Sequence, residues 1–391
     1  YMNILIIPSW YNTKKNPTNG SFFREQAMAL KDAGHNVIVA FVEVELMSSK
    51  LKDKKINVYE DNGVKTYRII QAKLPKTGNI GTAFAFEIGL TKIYKYIKER
   101  EKVDIVHLHS CLWGGLAAVS ISKKLRVPLV ITEHSSYYAR FKVSYFEELI
   151  IKYTLKNSKK LLAVSNSLKN ILSKYNCDIE VLPNMVDCDK FRPKENLLNY
   201  KDNKDEFTFL SVSYLNKNKG TDILIRAFAK YFNNLNVKLV IGGDGPEREN
   251  LIQLATSLNI LNKIEFTGAL SRERVYEEID NCDAFVLASR FETFGVVLIE
   301  ALSNGKPVIS TKNGGANEIV SEENGLLIDI DNVDQLGKAM KHIMENYQKY
   351  DKKKIREKCS KIYDRKVIVE KLENLYKDCL SVNWIRNFFN I

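Results

Sequence analysis

Short apolar runs alternate with longer amphipathic stretches along almost the whole chain, and this alternation restricts the fold more than any other feature. Six such runs precede Pro183 and six follow it. They are NILII, NVIVA, DIVHLHS, PLVITEH, KLLAVS and IEVLP in the first half, and FTFLSVS, KLVIGG, KIEFTG, AFVLAS, KPVIST and GLLIDI in the second. Nearly continuous apolar strands separated by helices predict parallel sheets that are covered on both faces.

A polar segment near the middle of the 391 residues divides this pattern in two. The segment LPNMVDCDKFRPKENLLNYKDNKDE contains two prolines and has no periodicity. One sheet of twelve strands is less favourable than two of about six, because large open sheets tend to split. We therefore predict an α/β protein with two doubly wound, Rossmann-like domains that face each other across a cleft. Residues 1–182 form the first domain, residues 183–364 form the second, and a C-terminal helix at 365–391 joins the first.

The excess of positive charge lies in the first half of the chain. Residues 1–182 contain 28 Lys and Arg against 16 Asp and Glu, an excess of +12, whereas residues 183–391 contain 31 of each. This asymmetry predicts an anionic partner, either a membrane surface or a nucleic acid. The basic stretches TKIYKYIKERE and KYTLKNSKK are typical of solvated helix faces, but aromatic residues beside them favour peripheral attachment to anionic lipid. We expect no nucleic-acid partner, because the sequence contains no recognisable reading module.

The same composition restricts the cellular compartment. No apolar run approaches the roughly 20 residues that a membrane span requires, and the opening MNILIIP is too short for the core of a signal peptide. We therefore expect a cytoplasmic protein, with a peripheral position at the inner face of the cell membrane as a further expectation. The six cysteines show no C-x-x-C spacing, which argues against a zinc site or a redox pair.

Two carboxylates flank an apolar stretch in SRFETFGVVLIEALSNGKPVIST. Glu292 lies in the predicted loop after the strand AFVLAS, and Glu300 lies about two turns along the helix that follows. The N–H groups of Phe294, Gly295 and Val296 would open that helix and offer an anion site suited to phosphate. The alternative is ordinary: Glu292 is solvated in a loop and Glu300 pairs with a lysine.

Other residues follow neighbouring strands of the second half, where the ligands of doubly wound sheets bind. Lys219 comes after FTFLSVS, at a helix start where an ammonium group can bind a diphosphate. Gly314 and Gly315 follow PVIST and permit close backbone approach to a ligand. The strand IEFTG supplies backbone at Phe266 and Gly268 that is suited to a planar base. Together these residues predict a donor site along one sheet edge.

These segments resemble, in their order, the retaining glycosyltransferases of family 4, which have the GT-B fold. In chain order, the similar segments are LPNMVDCDKF, LSVSYLNKNKG, VIGGDGPERENL, IEFTGALS and CDAFVLASRFETFGVVLIEALSNGKPVISTKNGGANEIV. The resemblance implies a nucleotide-diphosphate sugar as donor, UDP-linked by expectation, and a lipid-linked or saccharide hydroxyl as acceptor. It implies that Glu300 binds ribose hydroxyls, that Glu292 binds the donor sugar, and that Lys219 and the amides of residues 294–296 hold the diphosphate.

One position departs from the family pattern. Where the family has Gly-Arg-Leu before the lysine, this chain has Ser213, Tyr214 and Leu215, so the diphosphate arginine is replaced by tyrosine. Arg290 and Lys217 are the candidates to substitute for it.

The first half contributes two further candidates through the same resemblance. PSWYNTKKNPTNGSFFREQAMALKDAGHNVIV is similar to the family's opening, in which a glycine loop faces the donor phosphates; Gly20 fits that loop. His134 directly follows the strand PLVITE, where the family has a functional histidine, and Glu133 is the candidate to orient it. His107 and His109 compete for the same role, and strand alternation places both on one face.

Two further signals are set aside. GGDGPE lacks the third glycine of a dinucleotide fingerprint, so we expect no NAD. The D-x-D pairs in DCD and DID are explained by caps and linkers, so we expect neither a cofactor nor an obligatory metal. The alternatives to a glycosyltransferase of bacterial cell-envelope or surface polysaccharide synthesis are a non-catalytic sugar-nucleotide or membrane-binding module and a GT-B epimerase or phosphorylase.

Overall fold

The computed structural model describes residues 1–13, 19–47, 55–175, 178–193 and 206–381. The chain folds into two compact units. The first unit comprises Tyr1–Pro183 and Lys366–Ile391, and the second comprises Asn184–Arg365. Cys177 and residues 194–205 of the predicted boundary segment lie outside the described residues.

In the first unit, the described strands and helices begin at residue 3. The strands are β1 (Asn3–Pro8), β2 (Asn36–Leu46), β3 (Asn57–Asp61), β4 (Val64–Lys73), β5 (Ile105–His109), β6 (Leu129–Glu133), β7 (Lys160–Ala163) and β8 (Ile179–Val181). The helices that accompany them are α1 (Ser21–Asp32), α2 (Gly78–Ile97), α3 (Cys111–Leu125), α4 (Tyr137–Arg140), α5 (Tyr145–Lys156) and α6 (Asn166–Leu172).

The sheet of the first unit has the order β3-β4-β2-β1-β5-β6-β7-β8 and is parallel except at β3. The prediction of about six strands was wrong here, because β3 and β4 form an antiparallel hairpin at one end of the sheet. Asn62 and Gly63 make its turn with φ values of 48° and 77°, the left-handed conformation that tight hairpins require. Polar residues interrupt these two strands, which hides them from a search for continuous apolar runs.

In the second unit, six strands alternate with helices within the described residues. The strands are β9 (Phe207–Val212), β10 (Val237–Gly242), β11 (Ile264–Gly268), β12 (Ala284–Leu287), β13 (Val308–Thr311) and β14 (Gly325–Ile328). The helices are α7 (Thr221–Phe232), α8 (Arg248–Ser257), α9 (Arg272–Asn281), α10 (Val296–Ser303), α11 (Val333–Glu345) and α12 (Lys352–Tyr363).

The second sheet has the order β11-β10-β9-β12-β13-β14 with every pair parallel. The predicted six strands and the doubly wound, Rossmann-like class are confirmed for this unit. Because all strands run in the same direction, the loops after them lie along one edge of the sheet. The strand order reverses between β9 and β12, so the loops after these two strands begin side by side.

The last described helix, α13 (Arg365–Leu380), packs on the first unit although it follows the second in the chain. The Tyr376 hydroxyl lies 2.6 Å from Nδ1 of His107, and a carboxylate oxygen of Glu373 lies 2.8 Å from Nε2 of His35. The chain therefore crosses from one unit to the other twice, after Pro183 and after Arg365. The segments next to these two crossing points are hydrogen-bonded to each other, because Arg365 N–H donates to the carbonyl of Val186 at 3.0 Å.

Candidate active site

Three loops interlock at the edge of the second sheet where the strands end. Arg290 lies in the loop after β12, and its N–H donates to the carbonyl of Asn218, in the loop after β9, at 2.7 Å. The side-chain amide of Asn218 donates to the carbonyl of Phe291 at 2.9 Å. The N–H of Glu292 donates to the carbonyl of Asn313, after β13, at 3.0 Å. These bonds fix the loop that contains Glu292 against its neighbours on both sides.

Two glycines make this close approach of backbones possible. A Cβ atom added to Gly220 would lie 2.1 Å from the carbonyl oxygen of Ala288, and one added to Gly315 would lie 2.4 Å from the backbone of Phe294. Real Cβ atoms do not come that close to backbone. The loops of this edge therefore depend on glycine at both positions.

Lys219 and Glu292 meet between these loops. Their Nζ and Oε1 atoms are 2.6 Å apart, and their side chains are only 22% and 15% exposed. The sequence placed both residues on the same sheet edge, and the structure brings their charged groups into direct contact. A charge-assisted hydrogen bond of this kind, partly shielded from water, holds both side chains in place.

The start of α10 adds hydrogen-bond donors to the same edge. Gly295 is the N-cap with a φ of 97°. Within the described residues, the backbone N–H groups of Phe294, Gly295 and Val296 donate to no protein acceptor. The Phe294 ring is buried edge-on against Tyr363, which anchors the first turn. This helix start therefore offers backbone donors suited to an anion.

Glu300 lies in the second turn of α10 and is completely buried. Nη2 of Arg272, at the start of α9, lies 2.6 Å from its Oε1. The contact is an ion pair without hydrogen-bond alignment, because neither carboxylate oxygen accepts a well-directed hydrogen bond from the described residues. Glu300 thus pairs with a cation, as the ordinary alternative held, but with an arginine rather than a lysine.

Arg272 is held from a second direction. Its guanidinium carbon lies 5.5 Å from the centre of the buried Phe191 ring, a cation–π contact. The Arg272 side chain is 27% exposed. It is therefore the solvent-facing cover of Glu300.

One of the two candidates for the missing diphosphate arginine, Arg290, is already engaged by protein groups. Arg290 contacts the carboxylates of Asp222 at 3.2 Å and Asp331 at 2.7 Å, so its charge is already neutralised by protein groups. Its guanidinium also donates to the carbonyl of Lys217. Tyr214, at the position of the missing arginine, is exposed and belongs to the loop after β9.

The residues predicted to hold a base lie on β11, which β10 separates from β9. Phe266 is half-buried in β11, and Gly268 ends that strand with a φ of 73°. Gly268 accepts a hydrogen bond from Gly243 N–H at 2.8 Å. A Cβ atom added to Gly268 would contact nothing within 4 Å, so the backbone here borders open space.

In the first unit, three imidazoles lie in a row. The rings of His107 and His109 are 4.3 Å apart, and Nδ1 of His109 lies 3.1 Å from Nε2 of His134. Burial lowers the pKa of His107 to about 3. Burial, together with the two neighbouring imidazoles, also holds the pKa of His109 well below its ordinary value. His109 and His134 therefore contact each other at the carboxyl ends of β5 and β6, and His109 is neutral near pH 7.

Glu133 does not contact the His134 ring through a hydrogen bond. Its two oxygens accept the backbone N–H groups of His134, Ser135 and Cys111 at 2.8 to 2.9 Å and the hydroxyl of Tyr138 at 2.8 Å. The carboxylate therefore holds the turn after β6 and the start of α3. The partner of the His134 imidazole is His109.

Gly20 is the N-cap of α1 and adopts a left-handed conformation with a φ of 69°. A Cβ atom there would lie 2.9 Å from the carbonyl oxygen of Trp10, the loop residue after β1. One turn later, Arg24 is engaged in an ion pair with Asp61. Gly20 thus allows the first loop to fold closely over the helix start.

Comparison with known proteins supplies the family. Residues 20–190 match the family described as Glycosyltransferase Family 4, and residues 194–362 match the family described as Glycosyl transferases group 1. An uncharacterized glycosyltransferase of Methanocaldococcus jannaschii is 31% identical over 337 residues, 81% of this chain and 91% of that one. The chain belongs to glycosyltransferase family 4. The family that the sequence motifs resemble is thus confirmed.

Two other comparisons define how far the likeness extends. The phosphatidylinositol N-acetylglucosaminyltransferase GPI3 subunit of Saccharomyces cerevisiae is 26% identical over 75% of this chain, which spans 64% of the length of that relative. The solved structure of the Anabaena HepE protein in complex with UDP superposes with a TM-score of 0.75 at 19% identity, covering 96% of this chain and all of the other. The GT-B fold of the chain is thereby confirmed.

Sequence reasoning missed two residues of interest. Arg272 is the basic residue that opens the helix after β11, a position on the same edge as the other candidates, but nothing in the sequence pairs it with Glu300. Ser110 is a non-glycine residue with a φ of 69°, directly after His109. Backbone strain of this kind concentrates at functional sites, and only the structure reveals it.

Proposed function

We propose that this glycosyltransferase transfers a hexose from a UDP-linked donor to a hydroxyl acceptor, with retention of anomeric configuration, in the synthesis of a bacterial cell-envelope polysaccharide. The observation that carries the proposal is the 2.6 Å contact between Lys219 and Glu292 beside the start of α10. This arrangement offers a cation and backbone donors for a diphosphate, and a carboxylate for sugar hydroxyls, within one group of loops. UDP is proposed because the similar Anabaena protein binds it.

The chemistry that such a site supports is the departure of a nucleoside diphosphate. The bond between the sugar C1 and the diphosphate oxygen breaks, a bond between C1 and the acceptor oxygen forms, and the proton of the acceptor hydroxyl passes to the leaving diphosphate. Negative charge develops on the leaving diphosphate. Lys219 and the N–H groups of residues 294–296 would stabilise that charge, and preorganised donors of this type contribute about 3 to 4 kcal/mol each. We propose that they do so without an obligatory metal, so that chelation of divalent ions leaves turnover unchanged.

The other assignments rest on the family resemblance of the motifs that contain these residues. We propose that Glu300 receives the ribose hydroxyls, that the backbone around Phe266 holds the base, and that Glu292 and His134 act nearest the reacting carbon. The acceptor is proposed to be lipid-linked or a saccharide, because the similar yeast protein is named for transfer to phosphatidylinositol.

Calorimetric titration with UDP and with a panel of UDP-sugars tests the donor site. We expect Lys219→Met to weaken UDP binding by about ten- to a hundredfold, the value of a charge-assisted hydrogen bond. Glu300→Gln should weaken the binding of UDP but not the binding of inorganic diphosphate. Lys230→Gln is the matched control, because its ammonium pairs with Asp334 on the surface of the same unit. Wild-type protein that binds no nucleoside diphosphate would refute the proposal.

His134→Ala tests the catalytic assignment separately. We expect turnover to fall by about a hundredfold, while UDP affinity stays at the wild-type value because His134 belongs to the first unit. Full turnover in this variant would remove His134 from the reaction.

A second candidate is a non-catalytic sugar-nucleotide-binding module. It is favoured by Tyr214 in place of the family arginine and by the engagement of Arg290 with two carboxylates. Slow hydrolysis of a UDP-sugar by the wild-type protein, lost in Lys219→Met, distinguishes the enzyme from the module.

A further inference from the structure

Helices α2, α3 and α5 form one parallel layer on the first unit, with α3 packed against the other two. Near their N-terminal ends, the Trp113 indole N–H donates to the Asn79 side chain at 3.1 Å, and the Asn79 amide donates to Glu147 at 2.7 Å. Near their C-terminal ends, the ammonium groups of Lys124 and Lys123 lie over the rings of Tyr94 and Tyr153 at 5.5 and 5.4 Å. These contacts establish that the three helices run in the same direction.

The N-terminal ends of this layer lie at the carboxyl edge of the first sheet. Helix α3 begins at Cys111, directly after β5 ends at His109. His134 follows β6, the neighbour of β5, at the same edge. One end of the helix layer is therefore close to the histidines, and the other end points away from them.

The outer face of this layer is divided into an apolar half and a basic half. The apolar half lies toward the N-terminal ends and includes the α4–α5 connection. Its members are exposed although they are large and apolar: Phe84, Ile88, Phe141, Tyr145, Phe146 and Leu149. Tyr145 is 71% exposed and Phe146 is 63% exposed, values that ordinary packing does not explain.

The basic half lies toward the C-terminal ends. Its lysines are Lys92, Lys95, Lys123, Lys124, Lys152 and Lys156. The same three helices contain only Glu87, Glu147 and Glu148 as acids. Glu147 is buried in the capping box of α5, and Glu148 pairs with Lys152 at 3.1 Å. A net positive charge therefore remains beside the apolar half.

We propose that this outer face docks on an anionic lipid bilayer, with the apolar half inserted among the lipids and the lysines at the headgroups. Exposed aromatic and aliphatic side chains next to lysines are the combination that interfacial binding requires. A second copy of this chain is a poor occupant, because the first half of the chain has an excess charge of +12 and would repel its copy. No helix among the described residues has the length and apolarity to cross a bilayer.

The orientation gives this contact a consequence for the reaction. The apolar half lies toward the sheet edge that bears His134, so a lipid-linked hydroxyl acceptor would emerge next to that edge. This part of the inference rests on the proposed glycosyl transfer, whereas the docking itself does not.

Flotation with vesicles tests the docking. We expect the full chain to float with vesicles of phosphatidylcholine and phosphatidylglycerol, but not with phosphatidylcholine alone, and to be released by high salt. Lys152→Gln with Lys156→Gln should weaken binding by about 25-fold, since each lysine near an anionic surface contributes about fivefold. Tyr145→Ser with Phe146→Ser should weaken it by about tenfold per side chain.

The control variant is Lys341→Gln with Lys353→Gln, which changes two exposed lysines of the second unit. This variant should float with the vesicles as the wild type does. Equal flotation with both kinds of vesicle, or wild-type flotation of the two surface variants, would overturn the proposal. So would a dimer in sedimentation velocity that Tyr145→Ser with Phe146→Ser dissolves. UDP titration of each variant separates membrane docking from the proposed function. The proposed function fails if the wild type binds no UDP, and this result does not depend on the flotation results.

Discussion

At the scale of single residues, both carboxylates of the proposed donor site already have a cation beside them. Glu292 pairs with Lys219, and Glu300 pairs with Arg272. The pairs differ in accessibility: Glu300 has no contact with solvent, whereas Arg272 is partly exposed. Ribose hydroxyls would therefore reach Glu300 only if Arg272 moves aside.

The first prediction concerns this cover. Arg272→Gln should destabilise the protein by about 2 to 3 kcal/mol, because it leaves a buried carboxylate without its counter-charge; the value is reduced from that of a fully buried pair for solvent screening. The same change should increase the thermal stabilisation that UDP provides, since the ligand no longer competes with a cation. Thermal shift measurements with and without UDP check both effects.

Arg274→Gln is the control for this prediction. It lies on the same helix and pairs only at the surface, with Glu277 and Glu278. An Arg272→Gln variant with the wild-type response to UDP would contradict the competition between arginine and ribose.

The positions of Lys219 and Glu292 could be predicted from sequence, because parallel strands bring the loops after them to one edge. Their contact could not, since it depends on the hydrogen bonds that lock Asn218 to Phe291. Arg272 was missed for a related reason. A basic residue at a helix start is common on protein surfaces, and its reach to a carboxylate 28 positions later is a property of the packed sheet order.

At the scale of elements, the loops after β9, β12 and β13 form a single rigid unit through backbone bonds and glycines. The Gly315 N–H donates to the carbonyl of Glu292 at 2.9 Å, so the loop after β13 positions the carboxylate loop directly. Geometry at this edge is thus set by backbone contact rather than by side-chain packing.

The second prediction tests that rigidity. Gly315→Ala should destabilise the second unit by about 2 to 3 kcal/mol, because its Cβ atom would overlap the backbone of Phe294. UDP affinity should fall as well, since the start of α10 must shift. Urea denaturation and calorimetry provide the two measurements.

Gly34→Ala serves as the comparison, because its φ of 93° strains alanine while its Cβ atom would meet nothing within 4 Å. We expect it to cost about 1 kcal/mol and to leave UDP affinity unchanged. If Gly315→Ala and Gly34→Ala change stability and UDP affinity equally, the overlap between the new Cβ atom at position 315 and the backbone of Phe294 has no effect on either quantity.

The third prediction concerns the histidine row. The pKa of His107 is about 3 in the folded protein, below its ordinary 6.5. Below pH 6.5 the imidazole of His107 therefore binds a proton in the unfolded chain but not in the folded one. Neutral His107 contributes no pH-dependent loss of stability above pH 6.5, and the free energy of unfolding should fall by about 1.4 kcal/mol per pH unit as the pH drops toward 3. His109 acts in the same direction.

Urea midpoints at several pH values between 7.5 and 5 check this dependence, because a range of about two pH units is wide enough to resolve the slope. His107→Gln should flatten the slope, because glutamine keeps hydrogen-bonding capacity and cannot take up the proton. His342→Gln, at an exposed position of α11, should leave the slope unchanged. Identical slopes for His107→Gln and wild type would contradict the prediction.

The hairpin of β3 and β4 shows where element prediction fails. Its Asn62 and Gly63 turn is a strong local signal for a hairpin, but its strands carry polar residues because they lie at the end of the sheet. Continuous apolar runs identify strands that are covered on both faces, as β10, β12 and β13 of the second unit show. The β3–β4 hairpin needs the turn as evidence instead.

At the scale of the whole molecule, the chain returns to the first unit through α13. The buried side chains of this helix are Ile368, Val369, Leu372, Tyr376 and Cys379. Burial of a large apolar side chain contributes about 1.5 to 3 kcal/mol, so their sum approaches the net stability of a typical domain. The first unit therefore depends on residues that lie beyond the second.

The fourth prediction follows from this dependence. A chain that ends at Arg365 should lose the cooperative unfolding transition of the first unit and retain UDP binding by the second. Scanning calorimetry with and without UDP distinguishes the two transitions. Tyr376→Phe is the milder comparison and should cost about 1 kcal/mol for the lost contact with His107. A truncated chain with an unchanged first transition would refute the dependence.

The route of α13 also sets an order of events during protein synthesis. Residues 184–365 are contiguous, so the second unit has all of its strands as soon as that segment leaves the ribosome. The first unit, although translated earlier, waits for its closing helix until the nascent chain has extended past Leu380. Translation order and the order of completion are therefore opposite, and a nascent-chain chaperone would encounter the earlier-made half as the later-finished one.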